Sequence, residues 1–107
     1  MPHIEAIRLR GTENIEGTIL TRISKRVNHA SKTTRGVEVS ICTNASIAND
    51  LAIFLFWKIV PVPSRGSSLG LTIKHELMQF GLVDHAVWFE KEHDSSKVKE
   101  DNFEPSR

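Results

Sequence analysis

His85 is the titratable residue of this sequence that is best placed to do chemistry. It lies in a predicted strand on the same side as Val83, Val87 and Phe89, while Asp84, Ala86, Trp88 and Glu90 are on the other side. An imidazole buried among apolar side chains stays neutral near pH 7, and beside an acidic hydroxyl it can act as a general base. The alternative is a core histidine satisfied by one hydrogen bond, which is the commoner reading of a single residue.

Four aromatic residues form the second set of candidate site residues. Trp57 and Trp88 have the flat surfaces on which an aromatic ligand stacks, and Phe54 and Phe56 precede Trp57 in an unusually apolar strand. We predict that all four contact a substrate and that Trp57 forms one wall of its pocket. The alternative is that they anchor the core or an interface, which is the more frequent role of such side chains.

The sequence predicts neither a metal site nor a cofactor. Cys42 is the single cysteine, so the chain can form no internal disulfide and no cysteine-based zinc site. The five histidines show no ligand spacing, and the segment that begins at His75 lacks the second histidine of HExxH because Gln79 stands there.

Composition predicts one small globular domain. The 107 residues are 39% hydrophobic and 25% charged, and a net charge of +1 favours neither nucleic acid nor an anionic membrane as a partner. The longest apolar run, Leu51 to Trp57, is far shorter than the ~20 residues of a membrane helix. The N-terminus has charges where a signal peptide has an apolar run, so we expect a cytoplasmic protein. We assign residues 1–91 to the domain and the polar residues 92–107 to a flexible tail.

Periodicity predicts the element order β-α-β-β-α-β. Alternating segments predict strands at His3–Arg10, Val37–Cys42, Leu51–Trp57 and Leu82–Lys91. Apolar residues at helical spacing predict one helix capped by Thr12 or Asn14 and another that follows the polar segment Pro61–Ser68. This order is typical of a ferredoxin-like α+β fold, in which a four-stranded antiparallel sheet carries both helices on one face.

Two helices leave the other face of such a sheet uncovered. Phe54 and Phe56 lie on one side of their strand and Trp57 on the other, so large apolar residues stand on both faces. We predict that a second copy of the sheet covers the open face in a two-fold dimer. The alternative is that the C-terminal tail or the segment Ile59–Pro63 folds back over it.

The aromatic segment FLFWK, Phe54–Lys58, and the final strand GLVDHAVWFE, Gly81–Glu90, carry a resemblance to a known group. With the element order, they make residues 3–91 similar to the antibiotic biosynthesis monooxygenase-like domains of the dimeric α+β barrel superfamily. The resemblance implies a dimer whose pockets lie between sheet and helices. Members include cofactor-free oxygenases of polycyclic aromatic compounds and haem-degrading enzymes.

Haem degradation is not expected, because the asparagine that the haem-degrading branch has on the first strand is missing here. Trp57 and His75 match that branch by element only, and helical geometry turns His75 away from the apolar stripe. The resemblance instead implies a homodimer that binds a small aromatic molecule between sheet and helices, like cofactor-free monooxygenases, with His85 as base. The alternative is a non-catalytic dimeric module for ligand binding, regulation or protein interaction. An open cavity beside His85 would favour the former, and a packed space the latter.

Overall fold

The computed structural model describes residues 2–91 and places two helices on one face of a four-stranded antiparallel sheet. The elements in chain order are β1 (His3–Gly11), α1 (Gly17–Ser31), β2 (Val37–Thr43), β3 (Asp50–Trp57), α2 (Ser68–Leu77), a 3-10 turn (Met78–Phe80) and β4 (Gly81–Phe89). The tail predicted at residues 92–107 lies outside the described residues.

The strands lie side by side in the order β2-β3-β1-β4. All three neighbouring pairs are antiparallel, and Ile7 of β1 stands opposite both Ile53 of β3 and His85 of β4. Each helix therefore connects two strands that follow one another in the chain but are not neighbours in the sheet. The ferredoxin-like α+β fold predicted from the sequence is confirmed.

The core lies between the sheet and the helices. On the two central strands, β1 and β3, the alternate residues that face the helices are buried, which agrees with the period of two in the sequence. The fully buried apolar side chains of this core are Ile7, Leu9, Ile15, Ile23, Leu51, Ile53, Leu55, Ile73, Leu77 and Val27. Burial of this kind contributes roughly 1.5–3 kcal/mol per large side chain, and it fixes which face of each strand points inward.

The two helix starts differ in how well the sequence predicted them. The first prediction is wrong, because α1 begins at Gly17 rather than directly after Thr12 or Asn14. The N–H of Ile15 donates to the carbonyl of Ala48 at 2.9 Å, so this segment is held by the loop before β3. The second prediction is confirmed, since the Ser67 hydroxyl caps α2 by accepting a hydrogen bond from the Gly70 N–H at 2.9 Å.

In the described part of the chain, neither helix combines the length and the apolar character that a bilayer crossing requires.

Candidate functional site

A buried carboxylate lies where β1 passes beneath the start of α2. Glu5 faces inward with Ile7 and Leu9, and its side chain is 0% exposed. Oε1 accepts hydrogen bonds from Trp57 Nε1 at 2.9 Å and from the Ser67 hydroxyl. Oε2 accepts from the Ser67 backbone N–H at 3.0 Å and lies 2.8 Å from His85 Nε2. We call Glu5, Trp57, Ser67 and His85 the Glu5 cluster.

Two glycines close the Glu5 cluster from the side of the helix. A Cβ at Gly70 would lie 2.0 Å from Glu5 Oε2, and a Cβ at Gly66 would lie 2.2 Å from His85 Cε1. Gly66 also has φ +112°, a conformation that other residues rarely adopt. The backbone therefore packs directly on the carboxylate and the imidazole, and no ligand-sized space separates them from the loop before α2.

Glu5 is ionised despite its burial. Burial by itself raises the pKa of this carboxyl, but the hydrogen bonds from Ser67, His85 and Trp57 outweigh it, so that the pKa lies below the ordinary 4.5. Geometry explains the preference for the charged form. A proton on Oε1 would face the Trp57 indole N–H and a proton on Oε2 would face the Ser67 N–H, and both of these groups only donate.

This depressed pKa predicts a loss of stability in acid. Above pH 4.5 the stabilisation by ionised Glu5 is fully present, and as the pH falls below 4.5 the unfolded chain takes up the proton first. Urea unfolding from pH 7 down to roughly pH 3 should therefore show a midpoint that falls more steeply in the wild type than in Glu5→Gln. Equal slopes for the two proteins would show that Glu5 is not the group responsible.

His85 lies in the interior of the Glu5 cluster. Its side chain is 4% exposed, and Nε2 is held by Glu5 Oε2. Its other ring nitrogen, Nδ1, is buried and has no hydrogen-bond partner among residues 2–91. The sequence correctly placed this histidine on the apolar side of its strand, but it did not reveal the carboxylate that contacts it.

The five site residues predicted from the sequence do not form one site. His85 and Trp57 meet on the helix side of the sheet through Glu5. Phe54, Phe56 and Trp88 stand on the opposite face, where Phe56 and Trp88 both lie in register with Ile4. A single pocket between sheet and helices would reach Trp57 and His85 but not the other three.

A groove at one end of the sheet brings most of the predicted aromatic residues together. It has a volume of about 500 Å³, and its lining includes Phe56, Trp57 and Trp88 together with Phe89 and Lys58. Trp88 is 63% exposed and Phe89 is 57% exposed. We call this the aromatic groove. Trp57 belongs both to it and to the Glu5 cluster, because the residue lines the groove and its indole N–H donates to Glu5.

The open face of the sheet, which points away from the helices, has an apolar half and a charged half. In the apolar half the Phe54 and Phe56 rings stack with centroids 6.3 Å apart. In the charged half Arg8 stands opposite Asp84, and its Nε lies 3.5 Å from Asp50 Oδ1. The apolar half lies at the Ile4 end of β1 and the charged half at the Arg8 end, although Glu38 stands opposite Phe56 in the apolar half.

Sequence reasoning missed two members of the Glu5 cluster. Glu5 was visible as a charged residue in the inward register of β1, beside Ile7 and Leu9. A buried carboxylate requires hydrogen-bonding or charged partners. The inward position of Glu5 was therefore the available signal that other polar groups surround it. Ser67 was recognised only as part of a helix cap. Within residues 2–91, His, Cys, Asp and Glu side chains nowhere gather in threes as a metal site would require.

The solved structures that resemble this chain include two that cover most of its length. A variant of SnoaB, a cofactor-independent oxygenase from Streptomyces nogalater, has a TM-score of 0.60 and 8% identity, covering 86% of this chain and 95% of that one. Rv0793 from Mycobacterium tuberculosis has a TM-score of 0.59 and 13% identity, covering 87% and 98%. The chain shares their fold. The fold that the resemblance predicted is thereby confirmed, although no protein-family model and no curated protein matches.

Proposed function

We propose that the chain forms a homodimer that binds a small, flat aromatic molecule in the aromatic groove. The observation that carries the proposal is that Phe56, Trp57 and Trp88, three of the four aromatic residues predicted to contact a ligand, line this one groove with Phe89. Its volume of about 500 Å³ falls in the range of small-molecule sites. Exposed aromatic rings favour a ligand that stacks on them.

The groove is a better ligand site than the space between sheet and helices, which the sequence favoured. Around Glu5 and His85 that space is filled by the backbone at Gly66 and Gly70. Polar groups at the rim of the groove, Lys58 among them, would orient a ligand that carries a hydroxyl or carboxylate.

The catalytic form of the proposal assigns proton abstraction to His85. It is supported by the contact of His85 Nε2 with Glu5 Oε2, because a histidine oriented by a carboxylate is a common arrangement for a general base. SnoaB is described as a cofactor-independent oxygenase, and this chain resembles it in fold. Fold alone does not carry an activity, so His85 is assigned on its own geometry.

The homodimer is supported by the composition of the open face. Phe54, Phe56, Ile4 and Trp88 lie in neighbouring positions of the register and form an apolar surface that the chain's own helices do not cover. A second copy is the proposed occupant because the charged half carries both signs, as a self-complementary two-fold contact requires. Phe56 and Trp88 belong to this face and to the aromatic groove, so the partner subunit would add a wall to the groove.

A second candidate function is a non-catalytic dimeric module that binds a ligand or another protein. The close packing around His85 favours it, because neither ring nitrogen is open to a ligand in this arrangement. The two candidates share the dimer and differ in whether His85 affects any reaction of a bound molecule.

A ligand titration with a matched pair of variants tests the groove. The only two tryptophans, Trp57 and Trp88, both line it, so stacking of a naphthol or anthraquinone should quench the intrinsic fluorescence. Trp88→Ala should weaken binding by at least about tenfold, because a buried aromatic contact contributes roughly 1.5 kcal/mol or more.

Leu71→Ala is the matched control, since Leu71 is an exposed residue of α2, on the helix side of the sheet and outside the groove. It should bind as the wild type does. Because Trp88→Ala lacks one of the two fluorescent tryptophans, binding to the three proteins is compared by the shift of the ligand's own absorbance. If both variants retain saturable binding equally, the ligand binds outside the groove. If no compound in a full panel of flat aromatic molecules binds, the proposal is overturned.

A further inference from the structure

We propose that Glu5 is a positioning residue that holds the proton of His85 on Nε2 and presents Nδ1 as a proton acceptor inside the molecule. We further propose that the loop at Gly66 and Ser67 is the cover of this acceptor. The group that it would serve is a weakly acidic O–H or N–H. Neither the dimer nor a ligand in the aromatic groove is required for this role of Glu5.

The hydrogen bonds around Glu5 determine which nitrogen carries the proton. An ionised carboxylate only accepts, so the group 2.8 Å from Oε2 must donate, and His85 Nε2 therefore has its hydrogen. In a neutral imidazole the other nitrogen then has a free lone pair. That nitrogen is Nδ1, which is buried and without a hydrogen-bond partner in the described part of the chain.

The charge of Glu5 suits proton transfer to Nδ1. When Nδ1 accepts a proton, the O–H or N–H bond of the donor breaks, its electron pair stays on the donor, and a new N–H bond forms on the ring. The imidazolium then lies against the negative carboxylate, whose oxygens are already fixed by Trp57 and Ser67. A buried carboxylate adds little to stability compared with apolar packing, which favours a chemical role for this one.

The loop before α2 controls access to the ring. Gly66 packs against the edge of the His85 ring, where a Cβ would lie 2.2 Å from Cε1 and 2.7 Å from Nε2. The Gly66 N–H donates to the Pro63 carbonyl at 2.9 Å. Ser67 fastens the loop to the sheet through its backbone and its hydroxyl, both bound to Glu5. Releasing the Ser67 hydroxyl should therefore increase the exposure of the imidazole edge.

Nitrogen-15 NMR of the labelled full-length chain tests the position of the proton. Couplings from the ring nitrogens to the carbon-bound ring protons should show a protonated Nε2 and an unprotonated Nδ1 for His85 at neutral pH. In Glu5→Gln the amide can donate as well as accept, so the proton should redistribute between the nitrogens, with the exposed His29 as an unchanged reference.

A proton on Nδ1 in the wild type would overturn the proposal, as would an unchanged distribution in folded Glu5→Gln. If Glu5→Gln does not fold, the position of the His85 proton is tested in the wild type and in Trp57→Phe. It removes one donor to Glu5 but leaves the contact with His85, so it should retain the proton on Nε2. This readout needs no ligand, so its failure is distinct from failure of the aromatic groove to bind one.

Chemical modification with diethyl pyrocarbonate tests the cover. His85 should react about fivefold faster in Ser67→Ala than in the wild type, because loss of one hydrogen bond shifts local opening by about that factor. Ser68→Ala is the control, since the neighbouring exposed serine makes no bond to Glu5. Equal rates for His85 in all three proteins, with exposed His75 as internal standard, would show that this loop is not the cover.

Discussion

Glu5→Gln should lower the free energy of unfolding by about 3 kcal/mol, the largest stability effect expected of a single near-isosteric substitution in this chain. The amide has the size of the carboxylate, so the loss comes from hydrogen bonding. Whichever way the amide is turned, its NH₂ group points at the Trp57 indole N–H or at the Ser67 backbone N–H. Both are donors that cannot become acceptors, so one buried hydrogen bond is replaced by repulsion.

Urea unfolding at pH 7 measures this effect. Glu16→Gln is the matched control, because Glu16 is exposed and its side chain makes no capping hydrogen bond. The control should lie within about 0.5 kcal/mol of the wild type. A Glu5→Gln protein as stable as the control would mean that the carboxylate is solvated, and the description of the Glu5 cluster would be wrong.

Phe54→Lys should convert the proposed homodimer into single chains. Phe54 lies on the open face between Ser40 and Ala6 in the register, in the apolar half. Two-fold symmetry places two copies of any substitution in the contact, so each dimer would bury two additional ammonium groups. Truncation of a central interface residue alone raises a dissociation constant by about 30-fold or more, and a buried charge adds to this.

Sedimentation velocity at micromolar concentration measures the change. The wild type should sediment as a dimer and Phe54→Lys as a monomer with the same circular dichroism. Met78→Lys is the control, because Met78 is an exposed apolar residue in the turn after α2, away from the open face. A wild type that sediments as single chains would remove the dimer from the proposed function.

Much of the fold could be predicted from the sequence because its strands alternate cleanly. Leu51, Ile53, Leu55 and Trp57 were placed on the side that proves to be buried, since a half-buried strand leaves a period of two in the sequence. The start of α1 was predicted wrongly because a cap residue signals a helix only when no tertiary contact competes for its backbone. At Ile15 the carbonyl of Ala48 supplies such a contact.

The candidate site was harder to predict because its members are distant in sequence. His85 was found as a polar residue among apolar ones, yet its partner Glu5 lies 80 positions away. No local pattern links two such residues, and only the register of β1 against β4 brings them together. Gly66 and Gly70 had no predicted role, because only the structure shows which atoms would clash with a Cβ at these positions.

The long sequence separations within the Glu5 cluster have a kinetic consequence. The hydrogen bonds to Glu5 join residues 52, 62 and 80 positions apart, so they close some of the largest chain loops in the molecule. Contacts of this kind form late on the folding pathway, after the strands have paired. Substitutions at Glu5 should therefore mainly increase the unfolding rate, while the folding rate stays close to that of the wild type.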